Sequence, residues 1–146
     1  MKHSISYKDT DCFTKLILDY IKKDERLKKF ISHFPEIENF EKQIKEKKSH
    51  LIERDKLVDV LKDQNGSFLL SKKSKSNINL LRHDNTFSVT TGHQLCLFTG
   101  PLYFLYKIIS TINLCENLAE KYPNYNFIPI FWMASEDHDF EEIKSF

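Results

Sequence analysis

His93 stands between Gly92 and Gln94, and about forty residues further on Ser135-Glu136-Asp137-His138-Asp139 gathers carboxylates around a second imidazole. An imidazole charges or donates near neutral pH and a carboxylate accepts protons, so these clusters hold the groups that acid–base work on a bound anion would need. The first cluster lies in the run TGHQLCLFTGP, residues 91–101, where two glycines accompany polar side chains. A helix starting at Pro101 would aim free N–H groups and a positive dipole end at a phosphate. Gly92 would then let the backbone approach the ligand, and Gly100 would serve as N-cap or tight turn. The plainer reading is that both glycines only shape a long connection. The spacing is neither GxGxxG nor a Walker loop, so both readings stand. His93 is expected to steady a phosphate leaving group, against the alternative of a surface imidazole.

The second cluster is not a metal cage. Successive residues of an extended segment point to opposite sides, so Glu136, Asp137, His138 and Asp139 do not all meet one ion. A magnesium ion held by one carboxylate and nucleotide phosphates is the arrangement left open, and no residue is assigned as a metal ligand. Asp139 and Glu142 have capping-box spacing for a helix from Phe140, which leaves Asp137 and His138 for the site. Cys96 lacks a base at diagnostic spacing and is not read as a nucleophile. Tyr103 and Lys107, one helical turn apart, could reach a ligand but read first as a solvated face. Cys115 and Trp132 read as core.

A specific pattern of elements is needed to bring the clusters together. TFSVTT, from Thr86, is a β-branched strand; after the glycine run, Leu105, Ile108, Ile109, Ile112, Cys115, Ala119 and Tyr122 hold one apolar helix face for about five turns. FIPIFWMA follows as a second strand, apolar on both faces. Strand, helix, strand is a βαβ unit with parallel strands. Both clusters then emerge at one sheet edge, about 5 Å apart if the strands are neighbours. The fold class is α/β, the start of a parallel-sheet core. Residues 1–85 form a helical region ahead of it, and residues 86–146 form the βαβ unit, a truncated core. Helices are expected after Thr10 or Asp11 as N-cap, from Pro35 in a first turn, through Leu57, Val60 and Leu61 to Asn65-Gly66, and weakly over SKSNINLLRH.

Composition narrows the classes. In 146 residues, 22 Lys and Arg face 21 Asp and Glu, so no overall field recruits nucleic acid or an acidic membrane. Three cysteines without a CxxC fit a reducing compartment. The first residues lack the apolar core of a signal peptide, and FIPIFWMA is far short of the roughly 20 residues of a membrane helix. A cytoplasmic protein is expected.

The blocks TFSVTTGHQLCLFTGPLYFLYKIIS and IPIFWMASEDHDFEEI closely resemble the amino-terminal part of the bacillithiol-synthesis cysteine ligase family, BshC. The helical lead-in from SYKDTDCFTKLILDY to HFPEIENF resembles that family's start, so the likeness covers essentially the whole chain. It implies a Rossmann-like nucleotide-binding core and, at full length, a homodimer. It also implies ATP-dependent joining of cysteine to glucosaminyl-malate, the last step of bacillithiol synthesis. By the same resemblance Gly92, His93, Gln94, Thr99 and Gly100 fall in the first core loop and bind the nucleotide. His93, Asp137 and His138 are the candidate catalytic groups. Members with Gln at the position of His93 favour a hydrogen-bonding role for it, and members lacking Cys96 mark that thiol as inert. Family members run several times longer, so the chain alone is expected to be inactive and poorly folded. The alternative is a non-catalytic nucleotide-binding or interaction module.

Overall fold

The structure, a computed structural model, describes residues 3–96 and 100–136. The chain forms two compact units, Met1–Ser49 and His50–Phe146.

The first unit is built from short turns and two helices. A 3-10 turn, Tyr7–Thr10, ends where Asp11 takes a left-handed φ of 52°. The helix α1, Lys15–Ile21, therefore starts later than expected: Thr14 is its N-cap, accepting from the Ile17 N–H, and neither Thr10 nor Asp11 caps it. Asp24 opens a second 3-10 turn, Glu25–Lys29, by accepting from the Arg26 N–H. The Arg26 guanidinium bonded to the same side chain holds the Asp24 carboxyl well below the usual carboxylate range. Pro35 lies upstream of the next helical segment rather than in its first turn. A 3-10 turn, Ile37–Asn39, comes first, and α2, Phe40–Lys48, follows it. Among the described residues of this unit only Phe34 and Ile44 are buried, and α1 leaves Leu16, Ile17 and Ile21 exposed.

The second unit carries the sheet. The helix α3, Arg54–Gln64, ends at Asn65, and α4, Lys72–Leu80, starts at Ser71, whose hydroxyl accepts from the Ser74 N–H. Of the expected Leu57, Val60 and Leu61 only Leu61 packs on the core; Leu57 and Val60 are exposed, and Val58 is the buried residue of α3. Val58, Leu81 and Ile128 form the core, with Ile78, Leu80 and Ile130 against it. The strand β1, Thr86–Gln94, leads through α5, Leu102–Lys121, to β2, Asn126–Ala134. The two strands pair in parallel as direct neighbours, Thr86 opposite Asn126 and Gln94 opposite Ala134, as the βαβ reading requires.

Alternation along β2 separates its faces. Ile128 and Ile130 turn to the α3–α4 core, and Phe131 meets Phe104 of α5 at 5.2 Å between ring centres. The face that α5 buries holds Thr111, Cys115 and Leu118. Burial pushes the Cys115 thiol up to about 11, with the Glu116 carboxylate adding to it. The expected face of α5 was therefore half right. Leu105, Ile109 and Ile112 are exposed because the docked side is rotated from the most apolar one. Arg54 ties the foot of the sheet to the helices, donating to the carbonyls of Leu81 (3.0 Å) and Thr86 (3.3 Å).

Candidate functional site

Parallel pairing brings the carboxyl ends of β1 and β2 to one edge, with Gly92, His93 and Gln94 opposite Trp132, Met133 and Ala134. These three residues were expected in the loop after β1, yet they are its last three residues. Pairing with β2 overrides the poor strand preference of glycine. A Cβ at Gly92 would lie 2.8 Å from the Trp132 carbonyl oxygen, so the close approach that Gly92 permits is between the two strands. Trp132, expected in the core, is 57% exposed beside Met133 at 58%, because α3 and α4 cover only the foot of that face. Its indole N–H donates to Glu136 Oε1 at 3.3 Å.

Gly100 makes the tight turn before α5. Its φ is 68°, and a Cβ there would lie 2.8 Å from the Cys96 Cβ. The N-cap of α5 is Pro101, which has no side chain to bond the first N–H groups. That uncapped amino end faces the same sheet edge, as it must when a helix returns from the end of a parallel strand. The Lys107 ammonium, half-buried one turn in, donates to the Gly92 carbonyl at 2.6 Å and lies 5.9 Å from the Tyr103 ring centre. A dipole end and an ammonium suit an anionic group such as a nucleotide phosphate.

His93 sits on the α5 side of the sheet. Its Nε2 is 2.5 Å from the Tyr103 hydroxyl, and its Nδ1 is 3.0 Å from the Gln94 carbonyl oxygen. The ring centres of Tyr103 and Phe104 stand 5.2 and 5.8 Å away. The Cys96 sulfur lies 3.3 Å from Nδ1, the near base that no spacing rule revealed. A carbonyl oxygen only accepts, so the Gln94 contact favours the tautomer with the proton on Nδ1, which leaves no lone pair there to take one from the thiol. Cys96 is thus beside an imidazole without being activated by it, and its own S–H points at the Gln94 carbonyl, 3.5 Å away.

The structure brings Gly92, His93, Gln94 and Gly100 into one neighbourhood. Thr99, Asp137 and His138, with the capping pair Asp139 and Glu142, lie outside the described residues. Tyr103 is exposed, as a solvated face expects, while its hydroxyl meets His93 and the neighbouring Lys107 bonds the Gly92 carbonyl. Their one-turn spacing just after a glycine–proline helix start was the signal, but the contact with His93 depends on how α5 docks. Among the described residues, no three His, Cys, Asp or Glu side chains are grouped to hold a metal ion. No described helix is long and apolar enough to cross a membrane.

The model of the family "Bacillithiol biosynthesis BshC, N-terminal Rossmann-like domain" matches residues 1–146. The chain is 59% identical over 145 residues to the "Putative cysteine ligase BshC" of Christiangramia forsetii, covering 97% of this chain and 27% of that protein. It is 57% identical over 145 residues to the protein of the same name from Flavobacterium psychrophilum, with the same coverage. It is 34% identical over 138 residues to that of Chlorobaculum tepidum, covering 91% of this chain and 24% of that protein. The chain therefore spans about a quarter of the length of these curated relatives.

Proposed function

The chain belongs to the BshC family of bacillithiol biosynthesis, and from that premise we propose that it supplies the amino-terminal part of the site of an ATP-dependent ligase joining cysteine to glucosaminyl-malate. The observation that carries the reading is the flush, parallel end of β1 and β2. It sets His93 and its neighbours at the edge where α/β sheets take their ligands. Support also comes from relatives named as cysteine ligases over nearly all of this chain.

An amide does not form from a free carboxylate at a useful rate, and ATP supplies the activation. The amino end of α5 and Lys107 hold the phosphates, while Gly92 and Gln94 shape the wall behind them. Thr99, Asp137 and His138 remain assigned to the same site. The complete activity, and the homodimer, belong to the protein at the length of its relatives; the present segment alone is inactive.

The test supplies cysteine, glucosaminyl-malate and ATP to the full-length protein and follows the coupled thiol. Release of AMP or ADP tells an acyl-adenylate from an acyl-phosphate. No product in the assay, together with no loss of bacillithiol on deleting the gene, ends the proposal. ATP binding without cysteine-dependent turnover leaves the non-catalytic module in its place.

A further inference from the structure

On the face of the sheet opposite α5, the strands end in an indole. Trp132 pairs with Gly92, and its Cδ1 lies 3.5 Å from where a Cβ of Gly92 would stand. The ring therefore leans over β1, into space that a longer side chain at position 92 would take. Its neighbours toward the rim are small: Gly92 on the paired strand and Ala134 two residues on. The one polar atom of the ring is already used, because Nε1–H donates to Glu136 Oε1. At 57% exposure, Trp132 thus offers a ligand flat π surface and nothing else.

Resting on the ligase reading, we infer that Trp132 is the residue on which the base of the bound ATP stacks. Charge sets the direction in which the nucleotide lies. The Lys107 ammonium is tied to Gly92 on β1, whereas the Glu136 carboxylate stands at the edge of the indole beyond β2. Phosphates are drawn to the first and repelled by the second, so the uncharged base falls on the β2 side. The reach is short, since neighbouring parallel strands lie about 5 Å apart. A sugar ring also lies flat on indoles, but its hydroxyls need polar partners beside the ring. Gly92, Ala134 and Ile130 bring no polar side chain, and the Glu136 oxygen is engaged by the indole itself. A nucleobase needs only the π face, which is why aromatic platforms take bases of any kind.

The experiment uses the full-length protein and measures binding apart from turnover, by calorimetry with ATP and with inorganic tripolyphosphate. Trp132→Leu is expected to weaken ATP about tenfold, while Trp132→Phe keeps a ring and stays within about twofold of the wild type. Tripolyphosphate has no base and should bind all three alike, and all three should unfold at the same temperature. On the wild type, light-activated 8-azido-ATP should label the peptide that holds Trp132, and excess ATP should block the label. ATP bound equally by Trp132→Leu and the wild type overturns the inference, as does label confined to another peptide. Equal loss of ATP and tripolyphosphate, with a lower unfolding temperature, also overturns it, because Trp132 would then be core of the longer protein. So does weaker glucosaminyl-malate binding with ATP unchanged. A wild type that binds ATP through Trp132 yet couples no cysteine overturns the ligase reading instead and leaves the stacking residue in place.

Discussion

The foot and the rim of the sheet are built from the same two strands yet differ in almost every physical respect. At the foot, Ile128 is 3% exposed among Val58 and Leu81, and Arg54 bonds two carbonyls. At the rim, on the same face of β2, Trp132 stands largely in solvent, and polar contacts gather on the other side around His93. Apolar packing fixes where the strands lie; what the strands deliver at their ends is left open for chemistry. That division is what open α/β folds require, because a site packed as tightly as a core would admit no ligand.

The contrast can be broken or sharpened by substitution. The largest effect is expected on the packed side, where Leu118→Ala or Ile128→Ala should cost about 2–5 kcal/mol, read as faster amide exchange along β2. Gly92→Ala should cost about 1–3 kcal/mol by driving the strands apart at the rim, with exchange faster near Trp132 than near Ile128. Arg54→Met keeps the apolar stem but removes two hydrogen bonds, at about 1–2 kcal/mol, felt only at the foot. Alkali should act through Cys115. Its folded thiol keeps its proton to about 11 against an ordinary value of 9.0, so stability is whole below pH 9 and falls as pH rises to 11. Cys115→Ala should flatten that fall in denaturant midpoints. The smallest effect belongs to the rim: Trp132→Ser or Met133→Ser should change stability by less than about 0.5 kcal/mol. A large loss there would mean the rim is packed after all.

Much of this was legible in the residues. A β-branched run, a proline at a helix start and an apolar octet specified β1, α5 and β2, and their order specified parallel pairing. Boundaries were harder. Thr10, Asp11 and Thr14 are all competent caps, and only the left-handed turn at Asp11 decides for Thr14. Trp132 and Ile128 sit in one apolar string, and nothing local tells which of them a distant helix will cover. The pairing of His93 with Tyr103 was invisible for the same reason. It depends on the docking angle of α5, which the periodicity of the helix does not state.

The short span from the left-handed turn at Gly100 to Tyr103 acts as a gauge. Each residue added there would swing the phenol about 100° around the helix axis, away from His93. Lengthening beyond Leu118, past the docked face, would leave that geometry untouched. Insertions and deletions in natural variants should therefore gather at the far end of α5, near Tyr122 to Asn126, and spare its beginning.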